Sequence, residues 1–130
     1  MTATAGGISA VHKDLLLLIQ GIPRELMLQY VDRYLGNLLA ADGYDPELLQ
    51  TLEMYASCNG HMNEMSSRLY IHRNTAAYRL EKLERLLGIP LKEPENLLLL
   101  NMVFLFCRLL EAEKTELPGN GLLAPGNRSR

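Results

Sequence analysis

The stretch NEMSSRLYIHRNTAAYRLEKLERLL, residues 63–87, decides the fold. Its apolar positions divide it into a short helix over 63–69, a turn of about three residues carrying Tyr70 and Ile71, and a longer helix that begins at His72 or Arg73. That helix runs to Leu87, where Gly88 stands in a C-cap position. Two helices joined so tightly have the layout of a helix-turn-helix. At about 100° per residue, Ala76, Leu80, Leu83 and Leu87 share one narrow stripe, Asn74, Tyr78, Lys82 and Arg85 fall opposite, and Arg79 lies to the side. The pattern predicts Leu69, Ile71, Leu80 and Leu83 buried between the helices and a cationic, hydrogen-bonding face turned outward. Such a face suits duplex DNA. Arg donates bidentately to guanine, Asn pairs with adenine, and Thr or Tyr hydroxyls reach phosphates. The expected reading residues are Arg73, Asn74, Tyr78 and Lys82. His72 stands at the helix start beside the DNA, and Thr75 and Arg79 are expected at phosphates or the groove wall, because the first turn is the end that enters the major groove in this motif.

Charge is segregated in the same sense. Residues 63–87 hold five basic side chains (Arg68, Arg73, Arg79, Lys82, Arg85) against three acidic ones (Glu64, Glu81, Glu84), a local +2, whereas the other 8 basic and 12 acidic residues sum to -4. The whole chain carries -2, a total that supports no bulk attraction to nucleic acid or an anionic membrane, so any polyanion site must be local.

Leucines number 28 of 130 residues while β-branched residues are few, which favours an all-α fold over strands. The spacing predicts about six helices. One spans 11–20, and a second starts with Pro23 in the first turn and carries Leu26, Tyr30, Val31, Leu35 and Leu38. A third is capped by Asp45, with Pro46 at its first position, and runs to about Cys58, where Asn59-Gly60 stops it. After the two helices of the 63–87 stretch, a sixth runs from Pro94 to about Ala112, apolar nearly all round. The chain thus divides into a disordered tail over 1–10, an N-terminal helical pair over 11–42, a helix-turn-helix domain over 43–114 and a second disordered tail over 115–130. Its longest apolar runs fall short of a membrane span of about 20 residues. Residues 1–7 lack the order of a signal peptide. A cytoplasmic protein with no membrane partner and with Cys58 and Cys107 reduced is expected.

The run 69–80, LYIHRNTAAYRL, resembles the signature of the C-terminal helix-turn-helix of PucR/CdaR-type bacterial transcriptional regulators. Upstream, Leu48-Leu49-Gln50-Thr51-Leu52 is similar to that family's opening, and downstream Gly88 to Pro94-Glu95-Asn96 is similar to its link into a last apolar helix. The likeness spans about residues 11–112. It implies a Fis-like helix-turn-helix DNA-binding domain, with additional N-terminal helices and a final apolar helix, in a bacterial transcriptional regulator. It also implies an upstream sensory domain outside this chain, since such regulators are several times longer. Where relatives carry Asn after Gly60 and Ala further on, this chain has His61 and Ser66. Asn63 is then expected to cap the short helix alone, and a buried Ser66 must find a backbone partner. Ala77 stands where relatives tend to have a larger residue, which bears on local packing or one contact.

Other constellations carry less. Cys58, His61 and His72 lack the second ligand pair of a structural zinc site. Glu81 and Glu84 share a helix with Lys82 and Arg85 and no pocket is indicated, so acid–base catalysis is not expected. Neither a phosphate-binding glycine loop nor a nucleophile elbow occurs. The expectation is a non-enzyme without cofactor or metal. Met54, Met62 and Met65 read as core filler, Tyr30, Tyr34 and Tyr55 as core-edge aromatics, and His12 as solvated. The competing functional class is a protein-interaction or oligomerisation module built on the Leu97 and Leu15 apolar runs. Both can hold together, because helix-turn-helix proteins bind paired half-sites as dimers. Double-stranded DNA and a second copy are therefore the expected partners, with the N-terminal helical pair favoured for the contact between copies.

Overall fold

The computed structural model describes residues 12–40 and 44–116. In chain order the helices are α1 (Lys13–Ile19), α2 (Arg24–Leu39), α3 (Pro46–Ser57), α4 (Met62–Leu69), α5 (Arg73–Leu87) and α6 (Pro94–Glu116). The fold is all-α, with no strand among the described residues. The tail expected over 1–10 lies outside those residues, as does the part of the C-terminal tail beyond 116. Thr115 and Glu116, expected in that tail, are instead the last two residues of α6.

Local chemistry sets the helix ends. Asp45 Oδ1 accepts from Glu47 N–H at 3.0 Å, with Pro46 in the first position, so α3 begins as its sequence predicts. Pro23 stands one position outside its expected place. Its extended backbone (ψ 144°) makes it the N-cap of α2, and its carbonyl accepts from Leu26 N–H at 3.0 Å and Met27 N–H at 3.1 Å. The His12 imidazole accepts from Asp14 N–H at 3.1 Å and caps α1, a role beyond simple solvation. After α3 the chain turns through two left-handed residues, Asn59 (φ 54°) and Gly60 (φ 79°), and Gly60 N–H donates to Tyr55 O at 2.9 Å. A Cβ on Gly60 would stand 3.2 Å from Leu97 Cδ1 and 3.3 Å from the Tyr55 hydroxyl, so glycine lets α3 turn tightly beneath α6.

The main core gathers one face from each of α2 to α6. Leu35 and Leu38 come from α2, Leu48, Leu52 and Tyr55 from α3, Met65 from α4, Ala76, Leu80 and Leu83 from α5, and Leu100, Val103 and Phe104 from α6. Tyr55 is fully inside this core rather than at its edge, and Met54 and Met65 fill it as expected. A second, smaller cluster joins Ile19 and Met27 to Leu105 and Phe106, which fixes the α1–α2 turn onto the far half of α6. Polar clamps reinforce the layers. Asn101 Nδ2 donates at 3.0 Å to both Ala56 O and Leu97 O, and Asn37 Nδ2 donates to Leu86 O at 3.2 Å. Together α2, α3 and α6 form the back of the core against which α4 and α5 stand. No helix among the described residues is long and apolar enough to cross a membrane.

Candidate nucleic-acid interface

The interface is built on α4, its turn and α5. Helix α4 begins at Met62, one residue earlier than the spacing suggests, and Asn63 is already helical. His61 occupies the N-cap position but makes no side-chain cap bond there. Its ring turns back instead, with Nδ1 2.8 Å from Cys58 O. Ser66 is buried and donates to Met62 O at 2.8 Å, so its hydroxyl has the backbone partner that burial demands. The helix closes at Tyr70 in the left-handed conformation (φ 57°), which lets Ile71 N–H reach Ser66 O at 3.1 Å and Tyr70 N–H reach Ser67 O at 3.2 Å. Leu69 and Ile71 are half-buried and pack against the main core, while Leu80 and Leu83 are fully inside it.

Helix α5 then starts on a histidine cap. His72 Nδ1 accepts from Asn74 N–H at 3.0 Å, which requires that nitrogen to be unprotonated and leaves Nε2–H as a donor on an exposed residue. No acidic side chain lies in the first turn of α5, so its N-terminal partial positive charge and Arg73 act in the same sense. His72, Arg73, Asn74, Thr75, Ala77 and Tyr78 are all exposed, Tyr78 to 59 %, and Lys82 is half-buried. The opposite face buries Ala76, Leu80 and Leu83, and Gly88 ends the helix at φ 73°. Glu84 is held away from this surface, accepting from Leu91 N–H at 2.8 Å in the link to α6.

Arg79, expected at phosphates or the groove wall, sits at the seam between α5 and α3. Its guanidinium lies against α3, donating to Thr51 Oγ1 at 3.2 Å and to Glu47 Oε1 at 3.4 Å. The cause is visible on the helix wheel: Arg79 sits next to the Ala76–Leu80 stripe, so its stem runs along the seam with α3. Of the five cations of this stretch, Arg68 pairs with Glu64 at 3.0 Å and Arg79 with Glu47. Arg73, Lys82 and Arg85 have no ion-pair partner among the described residues. Tyr70, 94 % exposed beside the start of α5, escapes the periodicity because a turn residue has no place on the wheel.

Burial pushes the Cys58 and Cys107 thiols up, which disfavours thiolate at either position. Among the described residues no group of three His, Cys, Asp or Glu side chains could hold a metal ion.

Residues 48–106 match the family described as the PucR C-terminal helix-turn-helix domain, a family of transcriptional regulator domains rather than an enzyme class. The chain is 38 % identical over 98 residues to the purine catabolism regulatory protein of Bacillus subtilis (strain 168), a match covering 75 % of this chain and 18 % of that protein. It is also 36 % identical over 62 residues to an uncharacterized protein in the pkwA 5' region of Thermomonospora curvata, covering 48 % of this chain and 34 % of that one. The chain therefore spans about a third or less of the length of either relative. The 98-residue match is longer than residues 48–130, so it takes in part of the segment before α3 as well. No solved structure matches. Sequence signature, all-helical architecture and family match agree on the segment 48–106, which matches the PucR C-terminal helix-turn-helix domain family.

Proposed function

We propose that this chain is a sequence-specific DNA-binding domain of a bacterial transcriptional regulator, with α5 as the recognition helix in the major groove. Arg73, Asn74, Tyr78 and Lys82 read base edges, while His72 through Nε2–H and Thr75 through its hydroxyl contact phosphates. The observation that carries this reading is the division of α5. Its first turns present Arg73, Asn74 and Tyr78 to solvent beside a helix N-terminus free of acidic residues, while Ala76, Leu80 and Leu83 lock the other face to the core. The test is selection of duplexes from a randomised pool, followed by binding of Asn74→Ala. Loss of base preference at one step, by about 1 to 3 kcal/mol, is expected. Unchanged preference at every step would remove Asn74 from the reading face.

The domain acts as a homodimer in this proposal. The three cations of α5 without an ion-pair partner among the described residues neutralise few phosphates, so one copy gains little from counterion release and binds weakly. Two linked copies multiply the modest terms. Half-sites about 34 to 36 Å apart then meet successive major grooves on one face of the duplex. The oligomerisation reading has its own support in α1, whose Leu17 and Leu18 are 67 % and 76 % exposed, and it serves the dimer rather than competing with it. The remaining parts of the proposal are a cytoplasmic location, where the DNA is, and a sensory domain outside the described residues. The match to the purine catabolism regulatory protein, 18 % of that protein's length, is in keeping with the second.

A further inference from the structure

We propose that Arg79 is a positioning residue that sets the stance of α5 on α3, and that it does not touch DNA; this rests on the reading of α5 as the recognition helix. Thr51 is completely buried, and its hydroxyl donates to Glu47 O at 2.7 Å. With the proton committed there, the oxygen's lone pairs face outward from α3, and the Arg79 guanidinium donates to that oxygen at 3.2 Å. Its other terminal nitrogen reaches Glu47 Oε1 at 3.4 Å. The result is a relay from guanidinium to hydroxyl to helix carbonyl, anchored in the first turn of α3 where Asp45 and Pro46 hold the backbone. The Arg79 side chain is only 19 % exposed, against 72 % for Glu47, so the arginine is the member enclosed by the seam. Ala76 and Leu80, its neighbours one turn back and one residue on, are buried in the same seam and bring α5 close to α3. A planar guanidinium can span two acceptors in fixed directions, whereas an ammonium cannot, so the contact defines an angle as well as an attraction.

Binding to the selected duplex should be measured across a salt series for the parent, Arg79→Met, Arg79→Lys, Thr51→Val, Thr51→Ser and Asn74→Ala. Each is assayed well below its melting temperature, so that only folded protein is compared. The strut predicts that Arg79→Met and Arg79→Lys both lose affinity, on the order of tenfold, and keep the parent's salt slope. Thr51→Val, which lies on a different helix, should lose affinity alike. It should add little further to Arg79→Met, and Thr51→Ser should restore binding. A phosphate contact predicts a different pattern: Arg79→Met lowers the slope by about 0.9, Arg79→Lys binds like the parent, and Thr51→Val is silent. That outcome overturns the proposal while leaving the recognition helix in place, as shown by relaxed base preference in Asn74→Ala. Lowered melting temperatures with unchanged affinity of the folded variants would reduce Arg79 to a stabilising residue and also overturn it. A parent that prefers no duplex overturns both readings.

Discussion

At the scale of single residues, Tyr70 carries the clearest unrecovered cost. An L side chain in the left-handed region costs roughly 1 to 2 kcal/mol, and a ring that is 94 % exposed regains none of it by burial. Tyr70→Gly should relieve that strain, offset in part by the greater freedom of glycine in the unfolded chain. A gain of about 0.5 to 1 kcal/mol in denaturant unfolding is expected; a loss would mean that the ring is held by a contact. Glu53 supplies a pH-dependent counterpart. Burial raises its carboxyl despite the Arg108 guanidinium 3.9 Å away. A carboxyl with a raised folded pKa binds more protons folded than unfolded, so its contribution is complete below its unfolded value and is lost as pH rises through its folded one. Glu53→Gln should therefore gain on the parent in melting temperature as pH rises through and above the ordinary carboxylate range. A variant that loses ground over the same range would show the ion pair outweighing desolvation. Residues of this kind were the least legible in the sequence. The wheel put Arg79 to the side without saying that Thr51 and Glu47 would meet it, because a partner 28 or 32 positions away is a tertiary fact.

The helices themselves were legible, since each depends on local periodicity and punctuation. Asp45-Pro46 started α3 and Gly88 ended α5 where their chemistry indicates. The departures fall where two local solutions compete. Pro23 can open a helix from inside or from the cap, and its extended ψ settled it outside. Asn63 has the chemistry of a cap, but the tight Asn59-Gly60 turn brings the chain into α4 one residue sooner. Two consequences are measurable at this scale. Leu80→Ala should cost roughly 2 to 5 kcal/mol in chemical denaturation, because its side chain lies between α5 and the rest of the core; an unchanged midpoint would contradict that packing. His72→Ala removes the acceptor from Asn74 N–H and should cost about 1 kcal/mol, with amide exchange accelerated in the first turn of α5. Exchange accelerated evenly through the helix would point to a global effect instead.

For the whole molecule, the arrangement separates two surfaces. One is the outward face of α5, polar and cationic; the other, formed by α1, α2 and α6, carries exposed Leu17, Leu18 and Leu26 among polar residues of α2. On that second face, Ile22, Leu26, Tyr30, Leu99, Met102, Val103 and Phe106 line an open groove of about 150 Å³. Pairing through the α1–α2 face would leave both α5 helices free, which is why Leu18→Lys is expected to shift sedimentation toward a monomer without altering the helical spectrum. Unchanged sedimentation would put the contact elsewhere. The central claim, that α5 presents the DNA-reading surface, is most directly tested by following the backbone amide resonances of the intact chain as its selected duplex is added. Large shifts are expected on His72 to Tyr78 and on Lys82, with Leu15 to Leu18 of α1 little changed between the free and the bound protein. Shifts concentrated on α1 and α6, with 72–82 unmoved, would contradict it.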